Sequence, residues 1–258
     1  MTKNAKIILP RRRLLKLAGA SAGALLLGGC DALNKNKDVR NILSSAETLH
    51  KRAQRLIMDR NALAREFGES DMSPHFRMNG SITGDTAEYK RHLAEHFANW
   101  KLRVDGMVAR PAAYSLAQLM AMPSREQITR HDCVEGWSAI GKWRGPQLGP
   151  ILDRSRLLPA ARYIIFHCAD RFGPDPYYES IDLIDAYHPQ TILAWGMNGE
   201  ILPTGHGAPI RLRTERQLGY KQAKFIMRIE ATDDYNKFGK GKGGYWEDVA
   251  DYAWYAGI

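Results

Sequence analysis

Apolar residues at Ile42, Ala46, Leu49, Ala53, Leu56, Leu63 and Phe67 keep helical spacing, which predicts an amphipathic helix over 42–67. The next stretch, Gly68 to Gly84, lacks periodicity and reads as a loop carrying Phe76-Arg77-Met78-Asn79-Gly80; a short helix follows near 86–97. From Trp100 to Val108 the pattern becomes alternating. Leu102, Val104, Gly106 and Val108 share one face and Lys101, Arg103 and Asp105 the other, the pattern of a half-buried strand. Ser115-x-x-Gln118 is a capping box opening a short helix that Pro123 ends. Strand-like runs at 127–133, 163–168, 192–195 and 225–230 are separated by glycine- and proline-containing turns. Helices and strands mixed without a strict βαβ alternation predict an α+β fold. No glycine pattern of the Rossmann or P-loop type is present, and no internal repeat.

Composition agrees with a chain that buries a core, since 44% of its 258 residues are hydrophobic. The net charge of +9 suggests nucleic acid until it is located. Lys3, Lys6, Arg11, Arg12, Arg13 and Lys16 supply six of those charges within 1–29, where no acid occurs. That basic stretch leads into the small and apolar run Leu17 to Gly29, the order of an export signal and too short for a permanent membrane span. Consecutive arginines before Leu14-Leu15-Lys16 resemble the twin-arginine signal, which exports folded, cofactor-loaded proteins. Leu27-Gly28-Gly29-Cys30 resembles a lipobox, so Cys30 is the candidate lipidation site and the protein is expected at the periplasmic or extracytoplasmic membrane face. The expected organisation is signal and lipobox at 1–30, tether at 31–41, helix and loop at 42–73, and the main domain at 74–258.

Without Cys30, the remaining cysteines are Cys133 and Cys168. Cys133 sits in His131-Asp-Cys133-Val-Glu135-Gly136-Trp137, at the end of a predicted strand entering a glycine-containing loop. A thiolate there suits a soft or high-valent metal, and positive neighbours would favour its ionised form. Three other readings compete: a disulfide to Cys168, a zinc site with His131, His167 and Cys168, and a thiol hydrolase. The zinc reading lacks the paired ligand spacing such sites use. A second group lies in Gly205-His206-Gly207-Ala208-Pro209-Ile210-Arg211 and Gly219-Tyr220-Lys221-Gln222-Ala223-Lys224. Its glycines allow close backbone approach, and His206, Arg211, Lys221 and Lys224, with Arg77, supply donors for an anion such as phosphate.

From Pro74 to Thr232 these stretches resemble the molybdopterin domain of the sulfite oxidase family. The matching runs are Trp100-x-Leu-x-Val-x-Gly106, Cys133-Val-Glu-Gly-Trp-Ser138, Trp143-x-Gly145, Trp195-Gly-Met-Asn198-Gly-Glu-Ile-Leu202, and Gly207-x-Pro-x-Arg211 through Gly219-Tyr-Lys-x-x-Lys224. Within the family the chain looks most like bacterial periplasmic members related to the catalytic subunit of the methionine-sulfoxide-reducing system. The resemblance implies a Mo-molybdopterin cofactor with Cys133 as the molybdenum ligand. It implies further that Arg77, Asn79, His206 and Arg211 contact the cofactor, that Lys221, Gln222 and Lys224 hold its phosphate, and that Cys168 lines the site. The implied activity is two-electron oxo transfer on a small substrate, with electrons exchanged with a separate membrane cytochrome or quinone-linked partner.

Two departures stand out. Glu135, Gly136 and Trp137 occupy the stretch where sulfite-oxidising relatives place anion-binding arginines, which disfavours a sulfite dehydrogenase. Asp233–Ile258 stands in place of their immunoglobulin-like domain, so a monomer is expected. A cofactor-free lipoprotein binding module on the same fold is the reading from outside the enzyme class.

Overall fold

The computed structural model describes residues 37–258, with side-chain surroundings given from Ser45 onward; the export stretch and Cys30 lie outside them. The chain divides into two compact units, one ending at Ala53 and the other running from Gln54 to Ile258. The first helix, α1 (Lys37–Ile57), occupies the described part of the first unit and runs into the second. It begins inside the expected tether, where polar residues are not interrupted by proline or glycine. It also stops well short of Phe67. Asp59 accepts a hydrogen bond from the backbone of Asn61 at 2.7 Å, and this side-chain turn competes with a further helical turn.

In the second unit the remaining helices are α2 (Ala87–Ala94), α3 (Leu116–Met120), α4 (Leu148–Ser155), α5 (Leu183–Ala186) and α6 (Tyr245–Ala250). Thr86 caps α2 by accepting from Tyr89 N, and Ser115 and Gln118 cap α3 reciprocally, as the capping-box pattern predicts.

Among the described residues the strands form three sheets. The largest has the order β2-β1-β11-β5-β6, built from β1 (Lys101–Gly106), β2 (Ala112–Ser115), β5 (Tyr163–Phe172), β6 (Asp175–Asp182) and β11 (Ile226–Thr232). Its β1–β11 pair is parallel and the rest antiparallel. A second sheet runs β3-β4-β8-β9, from β3 (Ser124–Asp132), β4 (Ser138–Pro146), β8 (Gly196–Met197) and β9 (Glu200–Ile201). The third pairs β7 (Ile192–Ala194) with β10 (Arg211–Arg213). Mixed sheets with separate short helices make this the expected α+β fold.

Leu102 and Val104 of β1 are buried, as the alternation requires, against Ile164, Phe166 and Ile229 in the main core. A smaller cluster of Phe76, Ala139, Trp143, Ile192, Ala194 and Met197 lies beneath the β3–β4 sheet. The β5–β6 register shifts between His167 and Arg171, and the β5–β11 register between Ile226 and Arg228. Such irregularities turn side chains out of the sheet's regular alternation, and Asp170 emerges from the first of them into the cleft described below.

Ile229 is fully buried at the centre of the main sheet, so Ile229→Ala is expected to lower unfolding free energy by about 2–5 kcal/mol. Urea unfolding checks this as a lower midpoint with an unchanged slope.

Candidate active site

Cys133 lies at the start of the turn between β3 and β4. Its backbone N–H donates to Trp137 O at 2.9 Å, and Gly136 N–H donates to Cys133 O at 3.0 Å. Gly136 takes φ +85°, a conformation that favours glycine. This tight hairpin holds the half-buried thiol on a cleft of about 200 Å³. Asn79, Gly80 and Ser81 form one side; Gln222 and Lys224 form its floor; Glu135 and Asp170 add carboxylates. Trp137 Nε1 donates to Glu135 at 2.9 Å across the turn and so places that acid beside the thiol.

The charge around Cys133 differs from the expectation. Burial pushes the thiol up, and the Glu135 carboxylate adds to that effect while the Glu135 backbone amide opposes it. Cationic neighbours therefore do not ionise this thiol in the protein alone. A coordinated metal would do so directly.

The cations are concentrated deeper in the site. Lys224 Nζ donates to Asn79 O at 2.6 Å and to Ser81 O. The fully buried Arg211 donates to His206 O at 3.0 Å and to Gln222 O at 3.4 Å. Both are held by carbonyls, and neither belongs to an ion pair among the described residues. Burial first, then Arg211, brings Lys224 down to about 7; burial and Arg213 bring Arg211 down to about 9. Arg213 has a partner, Glu215 Oε2 at 2.6 Å, and its guanidinium stacks 4.3 Å from the Trp143 ring centre, with Arg211 at 5.0 Å from the same ring. Arg213 also reaches His131 Nδ1 at 3.0 Å; burial and these arginines hold His131 well below its usual range, so the ring is neutral.

Arg211 Nε and His206 Nδ1 are buried without hydrogen-bond partners. Gln222 stands near enough to His131 to favour the charged ring, yet Gln222 Oε1 and His131 Nε2 also lack partners in hydrogen-bonding geometry. Buried polar groups are normally satisfied, so this concentration of unused groups around excess positive charge fits a polar anionic ligand. The chain matches the oxidoreductase molybdopterin binding domain over residues 90–238. It belongs to this family of oxidoreductases.

Two relatives and one solved structure extend the comparison. A protein of Azospira oryzae, named provisionally as protein-methionine-sulfoxide reductase subunit YedZ1, is 38% identical over 97% of this chain and 89% of its own length. The protein-methionine-sulfoxide reductase catalytic subunit MsrP of Ralstonia nicotianae is 36% identical over 65% of this chain, and the match spans 53% of that protein. The sulfane dehydrogenase SoxCD of Paracoccus pantotrophus shares the fold at TM-score 0.50 and 18% identity, over 56% of this chain and 41% of the SoxCD chain.

Of the residues the family resemblance singled out, Asn79, Cys133, Gln222 and Lys224 share the cleft. His206 and Arg211 join through backbone contacts; burial, then Arg211, holds the His206 ring at about 4. Arg77 is exposed and does not line the cleft. The Lys221 ammonium is placed elsewhere too, fully buried between Glu179 and Glu247. Cys168 is buried on β5, adjoining a separate hollow behind Tyr177, and burial raises its thiol well above the ordinary value. Both thiols are free, so no Cys133–Cys168 disulfide forms. His167 is bound to Glu230 at 2.8 Å, and the described residues hold no cluster of three His, Cys, Asp or Glu suited to a metal. The zinc arrangement is thus not assembled.

Sequence reading missed Asp170, Gln127, Arg213 and Glu215, named Trp143 only within a matching run, and weighed His131 only as a zinc ligand. Arg213 was within reach, because Arg211 and Arg213 are two apart in a strand and share a face. Glu215 and Asp170 gave no pattern.

The depressed Lys224 pKa sets a sign for cofactor-free protein. The unfolded chain takes the proton at the ordinary lysine value and the folded chain only near 7, so between these values the unfolded state binds more protons. Stability should rise from pH 7 to pH 9, on the order of 1 kcal/mol per pH unit. Lys224→Met should flatten that rise, as measured by urea unfolding at the two pH values.

Proposed function

We propose that this protein is the catalytic subunit of an exported molybdenum enzyme that reduces sulfoxides, including methionine sulfoxide. Its donor set fits Mo-molybdopterin: Cys133 offers the soft ligand, Lys224 and Arg211 the positive charge, and Asn79, Gln222 and His206 further polar contacts. When bound, the molybdenum supplies two-electron redox chemistry coupled to movement of one oxygen atom. The chain's own residues orient and select. The β3–β4 turn fixes Cys133, and Trp137 of that turn packs edge-on against Phe76, which meets Trp143 in the same way.

The observation that carries the choice of substrate is Glu135. Its carboxylate lines the cleft beside Cys133 where sulfite, an anion, would have to approach. Like charges disfavour that approach, whereas a sulfoxide is neutral. Reduction of a sulfoxide consumes two electrons and two protons and yields a thioether and water. The two relatives named for methionine-sulfoxide reduction support the same direction. Electrons arrive from a separate subunit, a membrane cytochrome or quinone-linked protein, consistent with the subunit names those relatives carry.

The export signal and lipobox of residues 1–30 support a location on the periplasmic or extracytoplasmic membrane face, with Cys30 acylated. Among the described residues no helix is long and apolar enough to cross a membrane.

Assays of loaded protein against methionine sulfoxide, dimethyl sulfoxide and N-oxides with a reduced dye, and against sulfite with an oxidising dye, test this reading. The expected result is dye oxidation with sulfoxides, little or no reaction with sulfite, and loss of sulfoxide turnover in Cys133→Ser at unchanged thermal stability. Sulfite oxidation exceeding sulfoxide reduction, or full activity of Cys133→Ser, overturns it.

A further inference from the structure

The polypeptide beyond β11 forms part of the cleft. Trp246, on α6, and Tyr252, just after it, line the same space as Cys133 and Lys224. Their rings stack on each other at 6.0 Å and 24°; Tyr252 meets Tyr220 of the cleft floor at 5.0 Å, and Trp246 meets Phe172 at 5.4 Å. Both rings are only half-buried, whereas Tyr255 in the same segment is buried against the body. Half-buried aromatic rings that line a cleft suit a planar ring system.

The wall is fixed from behind. Glu247, next to Trp246, shares the Lys221 ammonium with Glu179 of β6, and all three side chains are fully buried. Breaking such a group leaves uncompensated buried charge, so it admits one position of α6 relative to the loop carrying Gln222 and Lys224. Gly244, which opens α6, has no room for a side chain, since a Cβ would lie 2.1 Å from Glu247 and 2.6 Å from Glu179. The backbone ties are as close: Leu218 N donates to Ala256 O at 3.0 Å and Tyr220 Oη to Ala253 O at 2.6 Å.

We infer that Trp246 and Tyr252 are cofactor-retaining residues, covering the pterin part of the bound cofactor from a wall that the C-terminal segment builds and Lys221 holds in place. The inference rests on the cofactor assignment in the proposed function. It does not depend on which substrate is reduced.

The test is the rate at which loaded protein loses cofactor during mild warming, followed by molybdenum retained on the chain and by fluorescence of released pterin. The double variant Trp246→Ala/Tyr252→Ala leaves the Lys221 group intact and is expected to release cofactor about tenfold faster, the effect of two lost ring contacts. Trp246→Phe/Tyr252→Phe is expected to restore the wild-type rate; because the alanine variant loses packing on Phe172 and Tyr220 and melts lower, release is compared at the same interval below each cofactor-free protein's melting temperature. Release from the alanine double variant at the wild-type rate overturns this inference alone. Wild-type protein that holds no molybdenum or pterin overturns the cofactor assignment and this inference with it.

Discussion

Two cations, Arg211 and Lys224, are buried beneath a cleft and held by carbonyl oxygens where carboxylates would usually stand. Burying charge in this way costs stability in the protein alone, which is why both groups lose affinity for their protons. Most of the surrounding geometry follows from accommodating them. The Asn79–Ser81 loop turns its carbonyls inward to Lys224, while Gly207, at φ +113°, clears a place that a Cβ would take from the Lys224 side chain. The indole of Trp143 lies against the guanidinium groups of Arg211 and Arg213. Arg213 carries its own carboxylate, Glu215, and so leaves the excess with the other two.

The fold brings the thiol to this charge from a separate sheet. Cys133 comes from the β3–β4 hairpin, Arg211 from the two-stranded sheet, and Lys224 from the loop entering β11 of the main sheet. The cleft is where these three sheets meet. Glu135 lines the same cleft as Cys133 and Lys224. The site thus combines the buried cations Arg211 and Lys224 with two carboxylates, Asp170 and Glu135, that line the same cleft.

Much of this was legible in the sequence because it depends on local patterns. The capping box at Ser115, the alternation of β1 and the turn after Cys133 each arise from nearest neighbours, and each appears in the structure. What was not legible depends on partners distant in the chain. Lys221 and Lys224 look equivalent in a loop, yet Glu179 and Glu247 claim the first and carbonyls of the 79–81 loop the second. Neither acid is marked by its neighbours in sequence. The end of α1 was missed for another reason, since Asp59 acts through a side-chain hydrogen bond that apolar spacing does not register. The β5 irregularity that presents Asp170 depends on pairing with β6 and was likewise invisible to periodicity.

The central claim is that buried positive charge holds an anionic molybdenum cofactor in this cleft. Molybdenum and pterin analysis of purified Arg211→Met, beside wild type expressed with ample molybdenum, tests it most directly. The account predicts stoichiometric molybdenum and pterin in wild type and their loss from a variant that remains folded by circular dichroism. Equal cofactor content in the two proteins would contradict it.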